Sequence, residues 1–114
     1  MAKKATKKSA ASKQRALVVG VSDYPRPEDQ LRAVSADVRE MAKVLASKNG
    51  TFPAKGVSVL SDKKATRESV LVALRDAFGG SAVETEFVYL AGHGLVVGGK
   101  YYYMAYDTPD ELTA

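Results

Sequence analysis

The chain has 114 residues, 46% of them hydrophobic, and a formal net charge of +4. This length is that of one domain rather than two, and the absence of cysteine excludes a disulfide framework. Residues 1–15 hold six of the 17 basic residues and none of the 13 acidic ones, so the rest of the chain is mildly acidic.

Residues 1–14 are rich in Lys, Ala and Ser and have almost no large apolar side chain. Such a segment buries too little surface to offset the entropy lost on ordering. It therefore predicts a disordered basic tail before a single domain at residues 15–114. No apolar stretch of a signal peptide follows the lysines, and no apolar run has the length of a membrane span. We expect a cytoplasmic protein that binds no membrane.

Strand and helix patterns alternate after the tail. Residues 16–21 form a continuous apolar run, typical of a strand buried on both faces. Between residues 30 and 47 the apolar side chains recur every three or four positions, which predicts an amphipathic helix. Residues 56–60 predict a second, shorter strand, and Thr66 is a suitable N-cap for a second helix. The predicted apolar face of that helix consists of Val70, Leu71, Leu74 and Phe78.

A third strand at residues 86–90 is followed by the only histidine of the chain and then by a hairpin. Residues 95–97 and 100–106 flank Gly98 and Gly99, a pair that suits a two-residue turn. Strands separated by helices predict parallel pairing with right-handed crossovers. The fold class that we expect is α/β, a mostly parallel sheet with flanking helices plus a β-hairpin after the third strand.

Two polar residues follow the predicted buried strands. His93 lies between Gly92 and Gly94 after the third strand, and Asp23 follows the first strand. An imidazole exchanges protons near neutral pH, and flanking glycines let a substrate approach the backbone closely. Sites of parallel sheets form at the carboxyl ends of the strands. Both residues should therefore open onto the same edge of the sheet, with the first strand in the centre.

Other site chemistries find little support in the sequence. Asp62 has no cluster of His or carboxylate neighbours that would hold a metal, and the glycines have neither P-loop nor dinucleotide-binding spacing. We therefore expect no metal and no cofactor. Four tyrosines could form a stacking platform for single-stranded nucleic acid, but we interpret them as hairpin residues that alternate between core and surface: Tyr101, Tyr102, Tyr103 and Tyr106. Nucleic-acid binding is not expected. As an alternative function, it would depend on the basic tail, and its affinity would fall steeply with increasing salt concentration.

Four segments, taken in order, resemble caspase-like cysteine peptidases. Residues 16–24 resemble the first strand of that family, residues 31–38 its first helix, and residues 57–66 its second strand and the entry to the next helix. Residues 87–94 resemble the signature that carries the catalytic histidine, and Asp107 stands where the family often has an aspartate. The resemblance covers nearly the whole chain beyond the tail. It is closer to prokaryotic caspase homologues and metacaspases than to animal caspases.

The resemblance implies roles for three residues. His93 would be the general base or proton relay of a cysteine–histidine dyad, and the Gly94 N–H would be one oxyanion-hole donor. Asp23 falls where relatives form part of the pocket for the residue before the scissile bond. An aspartate there favours Arg or Lys by charge complementarity, while the nearby Arg26 leaves an acidic preference open.

The chain departs from the family pattern in two respects. It has no cysteine, whereas the family's nucleophile follows the histidine on the next strand, and Ala91 replaces a serine of the signature. We therefore expect the histidine-bearing portion of an endopeptidase that hydrolyses peptide bonds only with a C-terminal segment carrying the cysteine. The isolated chain should be inactive. The alternative is a non-catalytic pseudoprotease that serves as a binding or regulatory module.

Overall fold

The computed structural model describes residues 14–47, 52–79 and 84–108. Its main elements follow the predicted order: β1 (Gln14–Gly20), α1 (Arg32–Leu45), β2 (Val57–Ser61), α2 (Arg67–Gly79), β3 (Thr85–Ala91), β4 (Gly94–Val97) and β5 (Lys100–Tyr103). Short 3₁₀ helices lie in the connections, at Pro27–Asp29, Ala54–Gly56 and Asp62–Lys64. The predicted α/β class is confirmed. The predicted disordered tail lies outside the described residues except for Gln14, the first residue of β1.

The three-stranded sheet is parallel, with β1 between β2 and β3. Gly20 pairs with Ser61 on one side and with Ala91 on the other, so all three strands end at the same edge. This order confirms the prediction that the first strand is central. The apolar run of β1 is uninterrupted because both of its faces are covered, and Val18 and Val19 are fully buried.

Alternate residues of β1 face the two helices. Leu17 and Val19 belong to a core cluster that also contains Val70 of α2. On the opposite face, Gly20 lies against Val38 of α1, which is itself buried. Full burial of such a side chain contributes roughly 1.5–3 kcal/mol, so the packing of both helices on β1 is a main source of stability. No helix in the described ranges is both long and apolar enough to cross a membrane.

The structure confirms the predicted start of α2 and corrects its apolar face. The Thr66 hydroxyl accepts a hydrogen bond from the Ser69 N–H at 3.2 Å and is therefore the N-cap. Val70 is buried as expected, whereas Leu71 and Phe78 are 39% and 66% exposed. The helix packs against β1 along a narrower stripe than its apolar residues define, and these two side chains lie outside that stripe.

β3 is an outer strand of the sheet within the described residues, and apolar side chains on it are open to solvent. Phe87 is 37% exposed and Leu90 is 42% exposed. Leu90 borders a groove of about 460 Å³ that also contains Leu71 of α2 and residues of the segment after β5. The free backbone edge and these side chains form a surface on which a further strand can pack.

Candidate active site

The carboxyl edge of the sheet brings the loop after β1 next to the turn that carries His93. The hydrogen bonding between β1 and β3 continues one residue beyond the end of β1, where the Val21 N–H donates to the carbonyl of Ala91, the last residue of β3, at 3.1 Å. Asp23 is two residues beyond this bond on one strand, and His93 is two residues beyond it on the other. As predicted, the two residues follow neighbouring strands at the same edge.

The imidazole of His93 contacts the loop after β1 through one nitrogen. Its Nε2 lies 2.7 Å from the main-chain carbonyl oxygen of Asp29. Because a carbonyl oxygen can only accept, Nε2 carries the proton of the neutral ring and Nδ1 holds the free lone pair. This arrangement suits Nδ1 to act as a base.

The carbonyl of Asp29 is held by a short ordered turn. Pro27 opens the 3₁₀ helix, and its fixed φ suits the first position of a helix. The Arg26 guanidinium pairs with the Glu28 carboxylate at 3.1 Å and with the Asp29 carboxylate at 3.3 Å. The positive charge of Arg26 is therefore engaged within its own turn.

Tyr24 joins the loop after β1 to the base of the hairpin. Its hydroxyl accepts the His93 N–H at 2.9 Å and donates to the Met104 carbonyl at 2.8 Å. Its ring centroid is 5.1 Å from the imidazole centroid, with the two planes tilted by 45°. Burial raises the pKa of Tyr24, although the hydrogen bond from the His93 N–H acts in the opposite direction. The hydroxyl thus stays protonated and remains a donor.

The N–H of Gly94 points away from β5. The two-residue turn at residues 98–99 has positive φ at both glycines, 57° and 79°, so its closing pair, Val97 and Lys100, is hydrogen-bonded. Bonded and non-bonded pairs alternate along an antiparallel ladder, which makes Gly94 and Tyr103 a non-bonded pair. The Gly94 amide is therefore directed outwards, where it can donate to a ligand.

Both glycines beside His93 occupy places where a side chain does not fit. A Cβ on Gly94 would lie 2.2 Å from the Tyr101 hydroxyl oxygen, and a Cβ on Gly92 would lie 2.6 Å from the Tyr24 hydroxyl oxygen. Gly92 also has a φ of 149°, which L side chains rarely adopt. A side chain at Gly92 would meet both the buried Tyr24 and an unfavourable φ, so this position requires glycine. A side chain at Gly94 would displace the ring of Tyr101, which is 69% exposed.

Asp62, at the end of β2, fixes the start of the loop that carries Asp23. Its Oδ1 accepts the N–H groups of Ser22 at 2.8 Å and of Asp23 at 2.9 Å. Asp62 has a φ of 51°, a conformation that aspartate tolerates better than most residues. The Asp23 carboxylate is exposed and accepts a hydrogen bond from the Gln30 side chain at 2.8 Å. The loop thus presents a carboxylate at the edge of the sheet.

Replacing Asp62 with alanine is expected to destabilise the chain by about 1–3 kcal/mol, because two N–H groups of the loop lose their acceptor. Equilibrium unfolding in urea measures the change. Asp62→Asn is the control, since its side-chain oxygen still accepts both N–H groups, and we expect it to lose about 1 kcal/mol or less. Equal losses in the two variants would contradict the role of Asp62 as an acceptor.

Asp107 caps α2 and does not join His93. Its Oδ1 accepts the Arg67 N–H at 2.8 Å, and the adjacent Tyr106 N–H donates to the Ala65 carbonyl at 2.9 Å. A carboxylate at a helix N-terminus satisfies a free N–H and interacts favourably with the helix dipole. The segment after β5 is thereby attached to the start of α2, beside the exposed groove.

Three contributions to the site were missed by sequence reasoning. The Asp29 carbonyl has no sequence signal, because every residue has the same main-chain acceptor. Asp62 is recognisable in the sequence only as an isolated carboxylate; within the described ranges, no three His, Cys, Asp or Glu side chains gather into a metal site. Tyr24 did have a signal, since it is the one aromatic residue in a polar, proline-containing loop directly after a buried strand.

The sequence matches a known protein family. The family model of the caspase domain, a peptidase family, matches residues 13–113. No curated protein and no solved structure matches the chain at a significant level. The matched range covers most of the chain and includes every residue of the candidate site. The chain therefore belongs to the caspase-domain family of peptidases.

Proposed function

We propose that this chain supplies the general base and one oxyanion-hole donor of a cysteine endopeptidase whose nucleophile comes from another segment. The proposal is carried by the 2.7 Å contact of the His93 Nε2 with the Asp29 carbonyl, which leaves Nδ1 as the basic nitrogen. The outward direction of the Gly94 N–H supports it. Membership of the caspase-domain family supports the same chemistry.

The proposed reaction has two stages. Nδ1 of His93 takes the proton of the cysteine thiol, and the thiolate attacks the carbonyl carbon of the scissile peptide bond. The N–H groups of Gly94 and of the cysteine itself donate to the oxyanion of the tetrahedral intermediate. The imidazolium then gives its proton to the leaving amine, and a thioester remains. Water, deprotonated by Nδ1, hydrolyses the thioester and releases the carboxylic acid and the thiol.

We expect the cysteine-bearing segment to join the sheet beside β3. Leu90 of β3 is 42% exposed and borders the groove of about 460 Å³ together with Leu71 of α2. A strand added to the edge of β3 that has no partner strand among the described residues would pair with its outward backbone groups and cover these side chains. The segment is either a later part of the same polypeptide or a second polypeptide. The substrates are proteins or peptides, and the reaction needs no cofactor.

The Asp23 carboxylate favours a basic residue before the scissile bond. It lies at the same edge of the sheet as His93 and is exposed. Arg26, the group that left an acidic preference open, pairs with two acidic neighbours at 3.1 and 3.3 Å. Its charge is therefore largely neutralised, and the remaining carboxylate of the loop favours Arg or Lys by charge-assisted hydrogen bonding.

In the completed peptidase, Asp23→Asn is expected to lower kcat/KM for a substrate with Arg before the scissile bond by about 10- to 100-fold. This range corresponds to the loss of a charge-assisted hydrogen bond. The asparagine oxygen still accepts from Gln30, so the loop should keep its conformation. Steady-state hydrolysis of paired substrates with Arg or norleucine measures the effect, and Glu40→Gln on α1 is the control. An equal loss for both substrates would contradict a specificity role for Asp23.

The proposed function is tested by covalent labelling of the assembly that contains this chain and the cysteine-bearing segment. A peptide acyloxymethyl ketone with Lys next to its reactive carbon alkylates an activated thiolate, and intact mass spectrometry after denaturation locates the label. We expect one label, on the cysteine of the added segment, and hydrolysis of the matching fluorogenic peptide. An assembly in which no cysteine is labelled and no peptide is hydrolysed would contradict the proposal and favour the binding-module alternative.

A further inference from the structure

The hydroxyl of Tyr24 stands inside the ladder of the hairpin. A bonded pair of an antiparallel ladder exchanges two direct hydrogen bonds. At the base of this hairpin the Met104 N–H donates directly to the His93 carbonyl at 2.9 Å. The return bond is replaced by the Tyr24 hydroxyl, which accepts the His93 N–H at 2.9 Å and donates to the Met104 carbonyl at 2.8 Å. The tyrosine thus acts as a spacer between His93 and Met104.

The surroundings of Tyr24 restrict the hydroxyl to this position. The side chain is only 3% exposed. Gly92, where a Cβ would lie 2.6 Å from the hydroxyl oxygen, leaves room for it. The two residues before Tyr24 are anchored through their N–H groups to Asp62. The loop that carries Asp23 therefore fixes the position of the His93 backbone through the Tyr24 hydroxyl.

We propose that Tyr24 is a positioning residue of the active site, whose hydroxyl sets the place of the segment His93–Gly94 and so the direction of the Gly94 N–H. The inference rests on the proposed function and deepens it. Without the hydroxyl, His93 and Met104 must either approach each other or take up water between them, and both changes move Gly94. An oxyanion donor acts over about 2.7–3.1 Å, so a small displacement removes much of its effect.

Tyr24→Phe tests this proposal, and Tyr103→Phe is its matched control. The Tyr103 hydroxyl donates to the Ala91 carbonyl at 2.7 Å. Burial, together with the neighbouring Tyr24 and Tyr101, raises the pKa of Tyr103 far above its ordinary value, so this phenol is also protonated. Each variant therefore removes one hydrogen-bonded phenol beside the site, but only the Tyr24 hydroxyl contacts the backbone of His93.

Two measurements distinguish positioning from general stabilisation. The first is hydrogen exchange at the His93 N–H in this chain, followed by NMR. We expect exchange about 10-fold faster in Tyr24→Phe and unchanged in Tyr103→Phe. The second is steady-state kinetics of the completed assembly. We expect Tyr24→Phe to lower kcat about 10-fold and to change KM by less than about two-fold, with neither constant changed by Tyr103→Phe.

Unchanged exchange at His93 in Tyr24→Phe, or an equal loss of kcat in both variants, would overturn the proposal. If Tyr24→Phe does not fold, NMR of the wild-type chain decides: we expect a slowly exchanging Tyr24 hydroxyl proton with a nuclear Overhauser effect to the His93 N–H, and its absence would overturn the proposal. A wild-type assembly without peptidase activity would overturn the proposed function instead. In that case the exchange rate at His93 still decides whether the Tyr24 hydroxyl holds this segment.

Discussion

Alanine in place of His93 is expected to lower kcat/KM of the completed peptidase by about 10³-fold or more while the fold is retained. In the proposed mechanism the imidazole takes the thiol proton and returns it to the leaving amine, and such acid–base catalysis contributes about 10²- to 10⁴-fold. A thiol without a neighbouring base also stays mostly protonated at neutral pH. In the described part of the chain the imidazole bonds to the Asp29 carbonyl, a contact whose loss costs about 1 kcal/mol.

The variant His93→Gln separates the base from this hydrogen bond. The glutamine amide can still donate to the Asp29 carbonyl, but it has no basic nitrogen. We expect the glutamine variant to be as inactive as the alanine variant and to unfold at the same urea concentration as the wild type. Hydrolysis of a fluorogenic peptide and urea unfolding measure the two quantities. A glutamine variant that retains most of the wild-type activity would exclude the imidazole as the base.

The elements that place the site were predictable because simple physical rules determine them. Residues 16–21 are apolar without interruption, and a central strand between two helix layers is the natural way to bury such a run. The glycines at residues 98–99 predicted a tight hairpin turn, and both have positive φ. His93 and Asp23 could be assigned to one edge because strand order in a parallel sheet decides which loops are neighbours.

The contacts that orient His93 could not be predicted, since they depend on tertiary packing. Asp29 contributes a main-chain carbonyl, which any residue at that position would provide. The role of Asp62 becomes visible only when the end of β2 is known to lie beside the end of β1. Helical spacing shows which side chains share a face of α2, but it does not show how much of that face the sheet covers. Leu71 and Phe78 are exposed for this reason.

In the proposed peptidase, one loop connects substrate recognition with catalysis. The segment after β1 carries Asp23, the Tyr24 hydroxyl that contacts the His93 backbone, and the Asp29 carbonyl that contacts the His93 side chain. All three groups lie within seven residues of one loop. A displacement of Asp23 therefore also shifts the Tyr24 hydroxyl and the Asp29 carbonyl, which contact His93. The loop is anchored at its start by Asp62. In the proposed peptidase, the conformation of this loop would therefore determine both the substrate preference and the orientation of the His93 imidazole.

The largest loss of stability is expected from Gly20→Ala, at about 3 kcal/mol. A Cβ at this position would lie 2.1 Å from Cγ2 of Val38 and 3.1 Å from Cγ1 of Val34. Val38 is buried, and a β-branched residue in a helix has one strongly preferred rotamer, so it cannot turn away without cost. Extra atoms in a packed core typically cost about 1–3 kcal/mol, and more where neighbours cannot move. Urea unfolding measures the loss.

Truncation of the neighbouring valines identifies the cause of this loss. Val38→Ala alone leaves a cavity and costs about 2 kcal/mol, but combined with Gly20→Ala it makes room for the new Cβ. The double variant should therefore lose about 1–2 kcal/mol less than the sum of the single losses. Val34→Ala is the matched control, because it also shortens a valine of the same helix. The nearest Val34 atom lies 3.1 Å from the new Cβ, compared with 2.1 Å for Val38, so the combination of Val34→Ala with Gly20→Ala should be nearly additive. Equal rescue by both valines would contradict a specific contact between β1 and α1. Because Gly20 is the last residue of the central strand, that contact also fixes the point from which the loop with Asp23 and Tyr24 leaves the sheet.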